Sequence, residues 1–151
     1  MKLSTKSTYG LRAILDIALE SKNSALSIMD ISKRENISIS YLEQLLNRLR
    51  REGLVRSVRG PKGGYLLSKK PNDITVGDVV KILEGDISPV YCIASRKDLK
   101  NICDRSRSCA TKVVWAKLGK AMNDCLESMT LKDLCAEARK MSQSKGKRRG
   151  P

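Results

Sequence analysis

The chain contains no histidine and no phenylalanine, and it has a single tryptophan. Without histidine it lacks the commonest general base and a frequent metal ligand. No paired carboxylates or nucleophile constellation stand in their place, so an enzymatic role is not expected. Aromatic residues make up only 3% of the sequence. The core must therefore be built from Leu, Ile, Val and Ala, a mixture that favours helices packed on helices. No apolar run approaches the roughly 20 residues a membrane span needs, and MKLSTKSTYG carries no apolar signal segment. The expectation is a cytoplasmic protein with no membrane partner.

What the chain does have is positive charge. Its formal net charge is +14, from 30 Lys and Arg against 16 Asp and Glu. Residues 1–75 carry 14 basic against 7 acidic side chains, residues 76–140 carry 12 against 9, and the last eleven carry 4 against none. Such a field attracts polyanions and speeds their association. A basic protein with no acidic partner is the plainer alternative. The five cysteines, Cys92, Cys103, Cys109, Cys125 and Cys135, all lie in the C-terminal half. An odd number without a secretory signal points to thiols or metal ligands rather than a disulfide framework.

Along the chain, Leu11, Ile14, Leu15, Ala18 and Leu19 recur at helical spacing, predicting a helix over about 7–21. Ser27 with Asp30 resembles a capping box opening a second, short helix, which Asn36 can end in the left-handed conformation. Ser38 can cap a third helix whose buried stripe is Leu42, Leu45, Leu46 and Leu49, closed by Gly53. The period then changes. Leu54–Val58 and Tyr65–Leu67 read as short strands around a glycine-rich basic tip, Arg59-Gly60-Pro61-Lys62-Gly63-Gly64. That tip lacks the Gly-Lys-Ser/Thr ending and following helix of a P-loop. Thr75 with Asp78 caps a fourth helix. A cysteine-bearing loop follows to about Ser108, then a long helix from about 109 to 129 and a last one capped by Thr130 and Asp133. Cys125 and Cys135 fall on these two helices, where small core residues are the ordinary reading. SQSKGKRRGP, at the end of segment 141–151, has the composition of a disordered basic tail.

Helix, helix, turn, helix, then hairpin is the order of a winged helix-turn-helix, within a mainly α fold. Such a unit places its second motif helix in the major groove of double-stranded DNA, with the N-terminal residues of that helix on base edges. With Ser38 as cap, Ser40, Tyr41, Glu43, Gln44 and Asn47 lie away from the leucine stripe. Ser and Gln can donate or accept at base edges, and Glu can accept from the cytosine amino group. Arg48, Arg50 and Arg51 would hold phosphates. Arg59 at the wing tip can enter a minor groove, and Gly60 beside it lets backbone approach backbone. A solvated helix face and a simple glycine turn remain the plainer alternatives.

The block ISISYLEQLLNRLRREGLVRSVRGPKGGYLLSK, residues 37–69, closely resembles the Rrf2 family of bacterial transcription regulators. Within that family it is most similar to the members that regulate through an iron–sulfur cluster. The opening MKLSTKSTYGLRAILDIAL and the run ITVGDVVKILEG at 74–85 are similar too, and the resemblance covers about residues 1–135. It implies a homodimer held by the long helix, binding an imperfect palindrome in promoter DNA as a repressor or dual regulator of iron–sulfur assembly genes. Position by position, it implies base contacts from Ser40, Glu43 and Gln44 and minor-groove entry by Arg59. It also implies that Cys92, Cys103 and Cys109 hold an iron–sulfur cluster of the 2Fe-2S kind, thiolates being its preferred ligands. Two departures stand out. Ten residues separate Cys92 from Cys103, a longer gap than in those members, and Lys112 replaces their histidine ligand. The fourth ligand is open among Asp98, Asp104, an external thiol and a residue of a partner subunit; Thr8 and Arg12 stand where some members carry that last ligand.

The expected organisation is a DNA-binding domain over 1–85, a cluster-binding loop over 86–108, dimerisation and terminal helices over 109–140, and the tail. A cluster-free regulator controlled by thiol oxidation or a partner protein is the alternative within DNA binding. A protein-interaction module without DNA binding is the alternative outside it.

Overall fold

The computed structural model describes residues 3–20, 24–95, 103–105 and 107–147. Six helices and one hairpin follow in the order α1 (Thr5–Glu20), α2 (Ile28–Glu35), α3 (Ile39–Arg51), β1 (Val55–Val58), β2 (Gly64–Leu67), α4 (Val76–Glu84), α5 (Lys112–Glu127) and α6 (Leu131–Lys147). Short 3-10 turns cover Pro71–Asp73 and Tyr91–Ile93.

The expected caps form. The Ser27 hydroxyl accepts from the Asp30 N–H and the Ser38 hydroxyl from the Tyr41 N–H, while Asn36 takes a left-handed φ of 53°. This sharp corner separates α2 from α3 and makes them a helix-turn-helix. Thr75 and Asp78 make a reciprocal capping box at the start of α4, and Thr130 and Asp133 repeat it before α6. Each such cap contributes about 0.5–2 kcal/mol.

One aliphatic core holds all of these elements except α5, whose Met122 and Leu126 pack on a second, smaller cluster of Val76, Val80 and Ile87. Ile14 and Ile17 of α1, Ile31 of α2, the four leucines of α3, Leu54, Val55, and Val79 and Leu83 of α4 are all buried in the main core. Leu131 and Cys135 of α6 belong to the same cluster. After α5 the chain returns to the N-terminal half, where the Val76 N–H donates to Met129 O at 2.8 Å and the Leu131 N–H to Ile74 O at 2.9 Å. Segments 1–85 and 109–140 therefore share a core.

Several boundaries differ from those expected. α1 begins at Thr5 and α5 at Lys112, a few residues from the sequence reading. Helix α6 continues to Lys147, so much of the stretch expected to be a disordered tail is helical. Cys135 is buried as expected, but Cys125 is exposed on α5. Placement on a helix does not tell whether another element covers that face, and among the described residues none covers Cys125.

The N-terminus of α1 is capped from the far end of α4. Oε1 of Glu84 accepts the Ser4 N–H at 2.9 Å, the Ser4 hydroxyl at 2.5 Å, the Ser7 N–H at 3.4 Å and the Ser7 hydroxyl. A carboxylate at the C-terminal end of its own helix is disfavoured by the helix dipole, but the dipole of α1 attracts it. Burial pushes the Glu84 carboxyl up, yet the hydrogen bonds from Ser4 and Ser7 outweigh it and hold the pKa below its ordinary value. A depressed carboxyl stabilises the fold above its unfolded pKa, and that contribution is lost as pH falls through the folded one. Glu84→Gln is expected to cost about 0.5–2 kcal/mol near neutral pH. The gap to the parent should narrow as pH falls below about 4. Urea melts at the two pH values check this; a gap unchanged in acid counts against the cap.

Candidate nucleic-acid interface

The four leucines of α3 are buried at 2% exposure or less, which fixes the helix on its axis and leaves the opposite side in solvent. Ser38, Ser40, Glu43, Gln44, Asn47, Arg50 and Arg51 are all exposed there. Successive side chains step by about 100° around a helix, so Ser40, Gln44, Asn47 and Arg51 share one stripe with Glu43 on its shoulder. Arg50 Nη2 donates to Asn47 Oδ1 at 3.3 Å, holding the third turn of this face together. The face thus carries donors and acceptors at its N-terminal end and guanidinium groups at the other.

Two residues expected on DNA have partners on other helices. Tyr41 is half-buried, its ring edge-on to Tyr9 at 6.0 Å, and its hydroxyl shares a 2.9 Å hydrogen bond with Thr5. Arg48 Nη1 donates to the carbonyl of Leu83 at 2.9 Å, in the last turn of α4. This ties the recognition helix to the residue before Glu84. Arg48→Met is accordingly expected to weaken binding to every duplex by a similar factor while the slope of log affinity against log salt stays unchanged. A phosphate contact would instead reduce that slope by about 1. Binding titrations at several salt concentrations separate the two.

The hairpin stands beside this helix. β1 and β2 pair antiparallel with Val55 opposite Leu67 and Val58 opposite Gly64. The tip closes through the Gly63 N–H on Gly60 O at 2.9 Å, and Gly60 has a φ of 110° that a side-chain-bearing residue rarely adopts. Arg59 and Gly60 are exposed at this tip, with Lys62 next to them. The wing is pinned just behind its tip by a bridge to the segment before α2: the Tyr65 N–H donates to Leu26 O at 2.8 Å and the Leu26 N–H to Tyr65 O at 3.0 Å. Sequence reading missed Arg56, exposed on β1. Period-two alternation from buried Val55 was the signal that could have found it.

The cysteine segment packs against α5. Ala94 and Ile87 are buried, and Asp86 accepts the Ser88 hydroxyl at 2.6 Å and the Ser95 N–H. Gly119 on α5 leaves room for this packing, since a Cβ there would lie 3.2 Å from Ile93 Cδ1 and 3.3 Å from Pro89 Cδ. Cys92, on the 3-10 turn, and Cys109 are half-buried, and Cys103 is exposed. The Cys109 thiol lies 3.0 Å from the Thr111 hydroxyl. That hydroxyl, then the Lys112 N–H, lower its pKa and outweigh burial, with smaller help from the Thr111 N–H and Arg105. Among the described residues, no three Cys, Asp or Glu side chains converge as a metal-ligand set. Cys92, Cys103 and Cys109 thus do not form a ready-made cluster site. Asp98 lies outside the described residues; Asp104 is exposed. At the partner-subunit positions, Arg12 is engaged with Glu35, Nε to Oε2 at 2.6 Å, and the Thr8 hydroxyl with its own helix.

Along α5, Val113, Val114, Trp115 and Leu118 are exposed. Near its C-terminal half, Leu3, Ile87, Ala121, Met122, Cys125 and Leu126 line an apolar groove of about 360 Å³. No helix among the described residues is long and apolar enough to cross a membrane.

Known proteins share this arrangement. A family described as "Rrf2: Iron-dependent Transcriptional regulator" matches residues 3–137. Protein rrf2 of Nitratidesulfovibrio vulgaris is 44% identical over 91% of this chain and 89% of its own length. The HTH-type transcriptional regulator IscR of Pectobacterium atrosepticum is 41% identical over 89% of this chain and 79% of its own. Among solved structures, CymR (YrzC), the global cysteine regulator of B. subtilis, superposes with a TM-score of 0.74 at 36% identity, covering 91% of this chain and 98% of that one. IscR of T. potens gives 0.73 at 38%, covering 91% and 88%. With a match that spans the recognition helix, the wing and the cysteine segment alike, this chain belongs to the Rrf2 family of transcriptional regulators.

Proposed function

We propose that this protein is a homodimeric, sequence-specific regulator of promoter DNA, with the cysteine segment as its input and no catalytic activity of its own. One observation carries the reading. The polar side of α3 is held outward by four buried leucines, next to a hairpin whose Arg59 tip is pinned in place at Leu26. Ser40, Glu43 and Gln44 meet base edges in the major groove, Arg50 and Arg51 meet phosphates, and Arg59 enters the adjacent minor groove. The exposed Val114, Trp115 and Leu118 of α5 and the apolar groove beside them support a second copy as their cover, since clustered exposed apolar side chains mark interaction surfaces. Two copies related by a two-fold axis read two half-sites of a palindrome. Repression follows where such a site overlaps a promoter, and the DNA target places the protein in the cytoplasm.

For the input, iron–sulfur cluster status is the first reading, supported by the family's iron-dependent description and the IscR relatives. Cys92, Cys103 and Cys109 would supply three thiolates to a cluster, of the 2Fe-2S kind, whose chemistry is electron storage with a change of local charge. Iron–sulfur assembly genes are then the natural targets. A second reading, thiol oxidation without a cluster, is supported by the lack of three converging ligands among the described residues and by the lowered pKa of Cys109.

Selection of duplexes from a random pool, with the molar mass of the complex, tests the DNA reading. Enrichment of a palindrome by a dimer supports it; failure to bind any promoter fragment at low salt overturns it. Iron and sulfide content with a visible spectrum, measured without oxygen, decides the input. A coloured protein with stoichiometric iron supports the cluster, and a colourless, iron-free one supports the thiol reading.

A further inference from the structure

The recognition helix carries one aliphatic side chain that the core does not use. Every leucine of α3 is buried, whereas Ile39, the first residue of the helix, is 40% exposed. It follows the cap Ser38, whose hydroxyl accepts the Tyr41 N–H at 3.3 Å and fixes the backbone of this first turn. Ile39 is the neighbour of Ser40 and stands one helical turn before Glu43, on the same shoulder of the helix. Cβ atoms tilt toward the helix N-terminus, so this side chain extends over the end that enters a groove. A β-branched side chain in a helix holds essentially one rotamer, which leaves little to order on binding.

We propose that Ile39 is a specificity residue that reads the 5-methyl group of a thymine. The proposal rests on the DNA-binding reading above. In the major groove the thymine methyl is the one apolar feature among the base edges, and small apolar side chains recognise it by contact. Ile39 thereby supplies apolar readout beside the hydrogen-bonding readout of Ser40, Glu43 and Gln44. The exposed isoleucine and the exposed methyl leave water together, which favours thymine over cytosine at that step.

The test replaces each thymine of a duplex selected by the parent protein with uracil, one at a time. This removes the methyl and leaves every pairing and hydrogen-bonding atom in place. For the parent, uracil at one position per half-site is expected to weaken binding about 3- to 5-fold, the effect of one buried methyl. For Ile39→Ala the loss at that position is expected to vanish, with losses elsewhere unchanged. Ile39→Val, whose shorter side chain keeps the branch, should retain part of it. Thermal melting of both variants verifies that they fold. If no uracil position affects the parent, or if every sensitive position is equally sensitive in Ile39→Ala, the assignment is wrong while DNA binding stands. If no duplex is selected at all, the DNA-binding reading itself fails.

Discussion

Arg59→Ala is expected to weaken binding to a selected duplex by about 1–3 kcal/mol, roughly 5- to 150-fold, with the loss concentrated at base pairs under the wing. The argument starts from the tip itself. Arg59 follows β1 directly, and Gly60 turns the chain with a φ of 110°. Arg59 is exposed and makes no ion pair among the described residues, so its guanidinium need not leave an internal partner to bind. A narrow, A·T-rich minor groove concentrates negative potential and attracts such a group. Loss of the arginine should therefore flatten the preference for A·T pairs at the wing position and lower the salt slope by about 1. Arg59→Lys keeps the charge but not the planar fork, and it should recover the salt slope without recovering the full preference. Titrations against duplexes that differ only at the wing position decide the matter. An equal loss on unrelated sequences would make Arg59 a phosphate contact and no more.

The parts legible in the sequence were those set by neighbours along the chain. Ser38, Ser27, Thr75 and Thr130 announced helix starts because a cap acts over three residues. The stripe Leu42, Leu45, Leu46 and Leu49 announced a buried face because helical periodicity is local. The outward side of α3 followed by subtraction. The parts that stayed hidden depend on partners far apart in sequence. Nothing near Arg48 signals that Leu83 O will take its guanidinium, nor anything near Tyr41 that Tyr9 and Thr5 will take its ring and hydroxyl. The return of α6 to the N-terminal core rests on Thr130 meeting Thr75 as an isolated bridge, and a two-residue pairing has no pattern to read. Cys125 looked like a core residue because helical spacing shows which positions share a face, not whether another element covers it.

Arg48 and Glu84 place two fastenings at the same end of α4. The recognition helix is fastened to Leu83, α1 is fastened to Glu84, and the cysteine segment begins right after, at Gly85. Any rearrangement of that segment that shifts the last turn of α4 therefore acts on both fastenings at once. The expected consequence is a change in the tilt of α3 on DNA rather than unfolding of the helix.

The largest effect on stability is expected from Gly64→Ala, about 3 kcal/mol or more by urea denaturation. A Cβ at Gly64 would lie 2.2 Å from Leu26 O, 2.5 Å from Leu26 C and 2.8 Å from Ser27 N. All three are backbone atoms, so no rotamer change relieves the overlap; the strand or the pre-helix segment has to move. Moving either one breaks the paired hydrogen bonds between Leu26 and Tyr65 and exposes Leu26, which is otherwise buried. A buried backbone group left unpaired costs about 1–3 kcal/mol by itself. Gly60→Ala provides the contrast. A Cβ there meets nothing within 4 Å, and only the φ of 110° opposes it, a strain of about 1–2 kcal/mol. The two variants should therefore separate in midpoint, with Gly64→Ala much the lower. They should differ in kind as well, because only Gly64→Ala releases the wing from the helix-turn-helix. At temperatures where it remains folded, Gly64→Ala should keep its helical circular dichroism yet lose the wing-dependent preference expected from Arg59. Equal midpoints for the two glycine variants would show that the hairpin is not held at Leu26, and the fixed geometry between Arg59 and the recognition helix would go with it.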